Sequence, residues 1–567
     1  MNSGSESSKQ RDTKLHGRLS ASGVFSGLRV VVSSTILSRL LGMVRDIATA
    51  RLFGTSPVMD AFAFAFRIPN LARRLFGEGA LSAAFLPVFT REWERSRGGD
   101  QVSAWQLATA VFTLLTVVLS GLIVLGEAGL WLWSIFGSVD EQSRLLLGLT
   151  AVMLPYLVLI CLAAQVTAVL HALGHFTIPA LVPVVLNVCW IATIFFVDPL
   201  FEPNRVHQAY ALAACLLAAG VLQLGLQWPT LARLGYRVRL NWQQSWPGVR
   251  EILISMLPVT LGLSIMQLNT LLDSAIAWMF SNAAGYPLRM GTVSVLYYSE
   301  RGYQFPLGVF GVALGTVLFP LFARHAARGE IDHLRDDLSL ALRLVLVIGI
   351  PASVGMVLVA EPFTDLLFRG GDFTDNDVQR TSRMLVGYGL GVWAYCGVPV
   401  LYRAFYALGE RVAPLRVGLA ASLLDMVIKL VLIWPLGEQA FAFSTAFTSV
   451  VHVAGLTWLL QARVGRVEWR RLVATAWRTV IAAAVMSAVC YYTLGLFGDA
   501  TTLTTRLLRL IVPLIVSIVT YFATAWLLGV EEMWLLVSRG HSTDVPPPSE
   551  GGAGGVTSES GVSTPES

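Results

Sequence analysis

The feature that most constrains this chain is a series of long apolar runs that recur from Gly27 to Val530 with no long polar interval between them. A run of about 20 apolar residues crosses a bilayer as an α-helix, because a helix satisfies its own backbone hydrogen bonds. Hydrophobic residues make up 55% of the 567 positions and charged residues 14%, against about 25% charged residues in soluble domains. The sequence therefore predicts an all-α integral membrane protein and excludes a soluble one.

About fourteen transmembrane helices are predicted from the apolar runs, numbered 1 to 14 in chain order. They cover residues 27–53, 58–93, 104–136, 145–173, 178–197, 207–234, 252–280, 293–323, 338–368, 383–408, 414–434, 441–460, 472–494 and 502–528. Loops after even-numbered helices are rich in arginine, as at Arg91, Arg233 and Arg324, whereas loops after odd-numbered helices are poor in it. The positive-inside rule then places both termini in the cytoplasm. The net charge of +5 is explained by this loop bias and predicts no nucleic-acid partner.

Two sequence matches indicate an internal repeat. The segment around Pro87 resembles that around Pro320, and the segment from Ala172 to Pro179 resembles that from Ala407 to Pro414, at nearly equal spacings. Helices 2, 4 and 5 thus correspond to helices 8, 10 and 11, which predicts two parallel six-helix lobes plus two C-terminal helices. The predicted parts are an N-terminal cytoplasmic tail (1–26), an N-lobe (27–240), a C-lobe (241–465), helices 13 and 14 (466–535) and a disordered C-terminal tail (540–567).

Charged side chains inside the apolar runs are the candidate functional residues, because a charge at the bilayer centre costs at least ~2.5–3.5 kcal/mol. Arginines outnumber acids in helices 1, 2 and 8, so an anionic substrate is expected to balance the surplus. Guanidinium groups suit phosphate oxygens. A network that only locks helices together is the alternative. The arginines are Arg39, Arg45, Arg67, Arg73, Arg74 and Arg301, and the acids are Asp46, Asp60, Glu78 and Glu300.

The spacing of the two helix 1 arginines does not by itself bring them together. Arg39 and Arg45 are six residues apart and therefore point to different faces of a straight helix, unless a bend at Gly42 turns both towards one cavity. Arg45 and Arg73 are expected to line solvent rather than to pack against neighbours.

Several of these segments resemble a known family. The runs SRLLGMVRD (38–46), DAF (60–62) and PNLARRLFGEGA (69–80), with Phe305-Pro306 and the segment 311–316, resemble the MurJ (MviN) lipid II flippases. The resemblance covers about residues 27–530, and its superfamily also includes polysaccharide-lipid flippases and drug antiporters.

The resemblance implies that the chain flips the undecaprenyl-pyrophosphate-linked peptidoglycan precursor from the cytoplasmic to the periplasmic leaflet by alternating access. It implies a monomeric transporter, not an enzyme, in the bacterial inner membrane among membrane lipids. The family's substrate-contacting positions correspond to Arg39, Arg45, Asp60, Arg73, Glu300 and Arg301. Gln304 departs from the pattern, since an acidic residue is expected there.

No cofactor is required by the resemblance, although some family members bind sodium between helices 7, 11 and 12. Asp273 and Asp425 are the lone carboxylates of helices 7 and 11, and oxygen ligands suit hard cations. Lys429 lies four residues after Asp425 and could pair with it instead. Both the sodium site and the ion pair remain open at this point.

Alternative functions follow from other readings of the same residues. A flippase for another polyprenyl-pyrophosphate-linked polysaccharide needs the same cationic interior. An antiporter of organic cations needs an acidic interior, a membrane enzyme needs clustered carboxylates, and a non-transporting scaffold needs only the helix-locking network.

Overall fold

The computed structural model describes residue 29 and residues 31–77, 80–95, 102–137, 139–498 and 502–533. The two predicted tails and Glu78 lie outside the described residues. The helices occupy the fourteen predicted positions, with differences at their ends and with breaks inside several of them. They are helix 1 (31–53), helix 2 (Pro57–Ala72, Arg73–Gly77 and Ala80–Arg95), helix 3 (Val102–Phe136), helix 4 (Glu141–Met153 and Tyr156–Ala172), helix 5 (Thr177–Ala192, Thr193–Val197 and Asp198–Phe201), helix 6 (Arg205–Arg233), helix 7 (Trp242–Phe280), helix 8 (Thr292–Pro306, Leu307–Gly311 and Val312–Arg328), helix 9 (Ile331–Phe368), helix 10 (Asp375–Gly389 and Val392–Ala407), helix 11 (Val412–Leu436), helix 12 (Gln439–Val464), helix 13 (Trp469–Gly495) and helix 14 (Leu503–Leu527).

Length and apolar composition make these helices membrane spans. Ten described helices are long and apolar enough to cross a bilayer, and helix 10 makes eleven when its two halves, bent by 47°, are counted as one span. Helices 1, 2 and 7 fill the remaining predicted positions. Large apolar side chains such as Val124, Leu125 and Trp133 of helix 3 are exposed, as expected for a surface that faces lipid. The predicted fold class, an all-α multi-pass membrane protein, is confirmed.

The internal repeat has a structural counterpart in the second helix of each lobe. Helix 2 contains a π-helical turn at Arg73–Gly77, and helix 8 contains one at Leu307–Gly311. A proline precedes each turn, at Pro69 and Pro306, and removes a backbone donor from the regular helical ladder. Such turns are rare and often occur at functional sites.

The helix ends repeat as well. Gly174 follows helix 4 with φ 78°, and Gly409 follows helix 10 with φ 75°. Both are left-handed C-terminal caps, a conformation that glycine adopts without steric strain.

Helix packing separates the lobes but gives helix 7 contacts with both. Helix 6 packs against helices 4 and 5 in the first lobe, and helices 10 and 12 pack together in the second. Helices 13 and 14 pack against helix 9. Helix 7 begins beside helices 2 and 3, where Glu251 pairs with Arg91, and ends beside helix 11. Two short parallel strands, Ser281–Asn282 and Leu288–Arg289, lie in the loop between helices 7 and 8.

Candidate functional site

The candidate site is an inter-lobe cluster formed by Arg45 and Asp46 of helix 1 with Tyr297 and Arg301 of helix 8. Asp46 is buried and accepts hydrogen bonds from Arg45, at 2.8 Å from Nη2, and from the Tyr297 hydroxyl at 3.2 Å. Arg301 Nε lies 3.3 Å from the other carboxylate oxygen of Asp46. Two guanidinium groups therefore share one carboxylate, which leaves one positive charge of this cluster without a counter-charge inside it.

Arg45 is held on the N-lobe side of the cluster. Its Nη1 donates to the side-chain oxygen of Asn187 on helix 5 at 3.0 Å, and its guanidinium lies 5.0 Å from the centroid of the Trp190 ring. Only 12% of its side chain is exposed. The expectation that Arg45 lines solvent is therefore wrong, because the side chain packs between helices 1 and 5.

Arg301 is the more accessible member of the pair. Its guanidinium stacks 4.6 Å above the Tyr297 ring, and 34% of its side chain is exposed. A guanidinium that stacks on an aromatic ring keeps its planar hydrogen-bonding edge available for an anion. Arg301 thus presents positive charge at the surface where the lobes meet.

Arg39 lies on the same face of helix 1 as Asp46, and no bend at Gly42 is needed to place it there. Helix 1 is uninterrupted through Gly42, and Arg39 precedes Asp46 by seven residues, which places both on one helix face about 10 Å apart along the axis. Arg39 is exposed, and no described acidic residue lies within ion-pair distance of it. The cationic surface therefore extends along helix 1 away from the inter-lobe cluster.

Glu300 faces a different partner from its neighbour Arg301. It pairs with the buried Arg67 of helix 2 at 3.0 Å, and Arg67 also donates to the Thr270 carbonyl of helix 7 at 3.1 Å. This contact joins three helices inside the membrane. Glu300 and Arg67 neutralise each other, so their ion pair adds no surplus charge to the site.

Asp60 does not face the space between the lobes in this structure. It is 1% exposed and accepts hydrogen bonds at 2.7 Å from the backbone N–H groups of Gly291 and Ser294. These donors belong to the start of helix 8, whose first N–H groups have no partner within the helix. Asp60 therefore caps helix 8 across the lobe interface in this structure, and its contact with substrate stays a prediction.

Arg73 lies in the π-helical turn of helix 2 and is not a member of the inter-lobe cluster. Its Nη2 donates to the side-chain oxygen of Asn70 at 3.1 Å. The structure therefore does not join Arg73 to Arg45 and Arg301. Gln304, the departure from the family pattern, is exposed on helix 8.

A second group of inter-lobe contacts, the inter-lobe seal, lies at the end of the bundle that carries the loop between helices 1 and 2. The Asp372 backbone N–H donates to the Arg51 carbonyl at 2.8 Å, and the Thr55 hydroxyl donates to the Asp377 carboxylate. Arg380 donates to Thr55 at 3.3 Å. Its guanidinium also pairs with Glu438 at 2.8 Å. The two lobes are thus closed against each other at this end.

The candidate sodium ligands enclose a lysine. The Lys429 ammonium is fully buried, lies 2.8 Å from Asp425 and also contacts Asp273. The ion pair between Lys429 and Asp425 that the helical spacing suggested is present, and it extends to a second carboxylate on helix 7. A free sodium ion does not fit between these carboxylates beside the ammonium.

Sequence reasoning missed the residues that act through contacts distant in sequence. Asn187, Tyr297, Thr55, Arg380 and Glu438 were not singled out. Arg380 and Asp377 carried a signal, since both are charges close to a predicted span, but nothing local identified Thr55 or Glu438 as their partners. The uncharged residues carried no such signal.

Two six-helix lobes with corresponding π-helical turns, joined by a cationic cluster inside the membrane, define the class of two-lobed multi-pass membrane transporters. The sequence model of the family described as lipid II flippase MurJ matches residues 49–516. The chain is 32% identical to the probable lipid II flippase MurJ of Vibrio cholerae, over 90% of this chain and 97% of that protein. The chain therefore belongs to the MurJ family.

Two further comparisons support this membership. The probable lipid II flippase MurJ of Haemophilus influenzae is also 32% identical, over 89% of this chain and 100% of that protein. A solved structure of lipid II flippase MurJ in an inward closed conformation superposes with a TM-score of 0.69 at 19% identity, over 88% of this chain and 99% of that one. That structural likeness shows the shared fold.

Proposed function

We propose that this chain flips lipid II from the cytoplasmic to the periplasmic leaflet of the bacterial inner membrane. The observation that carries the proposal is the inter-lobe cluster, in which Arg45 and Arg301 share the single carboxylate of Asp46. A diphosphate supplies the missing negative charge and accepts bidentate hydrogen bonds from guanidinium groups. The relatives that match this chain are named probable lipid II flippases. The diphosphate-linked precursor is therefore the substrate that best matches this charge.

The proposed orientation follows from the loop charges. The end of the bundle that carries Arg91, Arg95 and Arg233 is placed in the cytoplasm by the positive-inside rule. Both termini are then cytoplasmic, and the inter-lobe seal faces the periplasm. In this state the substrate enters from the cytoplasmic side.

The residues of the site have different roles in substrate binding. Arg39, exposed on the face of helix 1 that leads to Asp46, attracts the charged head group. Arg301 then binds phosphate oxygens, while Arg45, fixed by Asn187 and Trp190, holds Asp46 in place. The substrate leaves unchanged after the seal opens, so the protein acts as a transporter and not as an enzyme. The two lobes that form the site belong to one chain, which supports a monomer as the working unit.

The test is complementation in cells depleted of their own lipid II flippase. Lipid II in the outer leaflet is measured by its cleavage with an enzyme added from outside. We expect the wild-type chain to restore cleavage and the double variant Arg45→Ala/Arg301→Ala to fail at equal membrane abundance. A wild-type chain that accumulates normally in the membrane and restores no cleavage contradicts the proposal.

A further inference from the structure

The most unusual buried group outside the inter-lobe cluster is the ammonium of Lys429. Its side chain has no exposed surface, and the two carboxylates beside it, on Asp273 and Asp425, have 10% and 4% of their side chains exposed. The ammonium also lies 5.5 Å from the centroid of the Phe441 ring. Two carboxylates and an aromatic face therefore surround one cation at membrane depth.

The shell around these carboxylates is built from oxygen-bearing side chains of three helices. The hydroxyls of Thr445 and Thr448 on helix 12 lie 3.5 and 3.4 Å from one oxygen of Asp425. The amide nitrogen of Asn269 on helix 7 lies 3.2 Å from the other oxygen. Rotation of that amide by half a turn presents its oxygen at the same place, since amide oxygen and nitrogen occupy equivalent positions. Carboxylate, hydroxyl and amide oxygens are the donors that hard cations prefer.

We propose that Lys429 is a tethered cation that permanently fills a position suited to a free monovalent cation. Removal of the ammonium then uncovers a sodium site formed by Asp273, Asp425, Asn269 and Thr448. The wild-type chain needs no alkali cation at this position, because the cation is part of its own sequence.

The charge balance of the shell favours this interpretation over a simple helix-locking ion pair. A locking pair needs one carboxylate, whereas Lys429 contacts two, from helices 7 and 11. Removing one partner of a buried charge pair leaves the other unpaired at high cost. Two carboxylates left in apolar surroundings therefore recruit the available cation or a proton.

Two substitutions at the same position separate charge from volume. Lys429→Ala removes the ammonium and leaves space between the carboxylates, while Lys429→Met removes the charge but fills the space with an apolar side chain. Each full-length protein is purified in detergent and transferred into sodium chloride or choline chloride. Binding of radioactive sodium and the midpoint of thermal unfolding are measured, and neither readout depends on what the chain transports.

We expect the wild-type chain to show no saturable sodium binding and the same midpoint in both salts. Lys429→Ala is expected to gain saturable binding that approaches one ion per chain, with a midpoint that rises with sodium concentration. Lys429→Met is expected to show neither response. Saturable sodium binding to the wild-type chain, or a folded Lys429→Ala protein without a sodium response, overturns the proposal.

A double variant decides the outcome if Lys429→Ala does not accumulate in either salt. Lys429→Ala/Asp273→Asn keeps one carboxylate, which matches the charge of one monovalent cation, together with the oxygens of Asn269 and Thr448. It is taken through the same two measurements. The absence of a sodium response in this variant, or its failure to fold when sodium is present throughout, also overturns the proposal.

Discussion

At the scale of single residues, the balance of charge between Arg45, Asp46 and Arg301 explains why guanidinium groups persist at membrane depth. Asp46 is nearly buried and takes a hydrogen bond from Arg45, so that ion pair is sufficient to hold helix 1. Arg301 makes only a longer contact of 3.3 Å with the same carboxylate. The surplus charge therefore resides mainly on Arg301, which is the residue that a phosphate group is expected to meet.

Replacement of Arg301 tests this division of roles. We expect Arg301→Ala to lower the rate of lipid II flipping by roughly ten- to a hundredfold, because one charge-assisted hydrogen bond contributes ~1.5–3 kcal/mol. Arg301→Lys is expected to retain part of the rate, since a point charge replaces a bidentate group. The rate is measured as the appearance of cleavable lipid II in the outer leaflet, relative to the amount of protein in the membrane.

Arg324→Ala is the matched control for this series. Arg324 lies on the same helix and is exposed near its end, so its loss removes an equal charge without touching the inter-lobe cluster. We expect near wild-type flipping from this variant. Equal losses in Arg301→Ala and Arg324→Ala would show that total charge matters rather than the position of Arg301.

At the scale of elements, the inter-lobe seal depends on close approach of backbone to backbone. Gly291 has φ 89° and precedes helix 8, where a methyl group would overlap the Thr55 carbonyl oxygen. Its N–H also donates to Asp60. One glycine therefore permits both the left-handed backbone and the contact of helix 8 with the loop between helices 1 and 2.

Gly291→Ala is expected to open the inter-lobe seal. The overlap with Thr55 pushes the start of helix 8 away from the loop between helices 1 and 2. We measure this as faster reaction of a cysteine at the buried position 378 beside the seal, introduced as Val378→Cys, with a thiol reagent that cannot cross the membrane.

Gly409→Ala separates steric overlap from backbone strain. Gly409 has φ 75°, but no atom lies within 4 Å of the position that its added methyl group would occupy. Both substitutions carry the left-handed penalty of roughly 1–2 kcal/mol, whereas only Gly291→Ala carries the overlap. We expect unchanged labelling at position 378 in Gly409→Ala, and equal labelling in the two variants would refute the role of Gly291.

The elements of the fold are predictable from the sequence, whereas the contacts between distant elements are not. The apolar runs predicted the helices, and the repeated motifs predicted that helices 2 and 8 correspond, because both signals are local. The capping of helix 8 by Asp60 was not predicted because its donors on Gly291 and Ser294 come from the other lobe, and no helical periodicity encodes that contact. The spacing between Asp425 and Lys429 predicted one ion pair, but the second partner, Asp273, becomes visible only when helices 7 and 11 are packed.

At the scale of the whole molecule, the two lobes are joined at the inter-lobe seal, while the cationic face of helix 1 is exposed towards the opposite end at Arg39. Helix 7 contacts both lobes, pairing Glu251 with Arg91 at its start and Asp273 with Lys429 near its end. Translocation by alternating access requires the seal to separate while helix 7 keeps the lobes connected. The seal is therefore the place where a covalent link between the lobes stops the cycle.

A reversible cross-link tests this requirement. Arg205 of helix 6 pairs with Asp372 of the loop between helices 9 and 10 at 2.8 Å, so this exposed contact joins the two lobes. Arg205→Cys/Asp372→Cys, linked by a short reagent with two thiol-reactive ends and a disulfide between them, is expected to stop lipid II flipping, and reduction of that disulfide is expected to restore it. The matched pair Arg463→Cys/Glu410→Cys replaces a contact of 2.7 Å within the second lobe and is expected to keep flipping when linked. Four of the five native cysteines are buried, so the introduced thiols are the main targets of the reagent. If the linked Arg205–Asp372 pair still flips lipid II, the lobes need not part at the inter-lobe seal and the substrate takes another route.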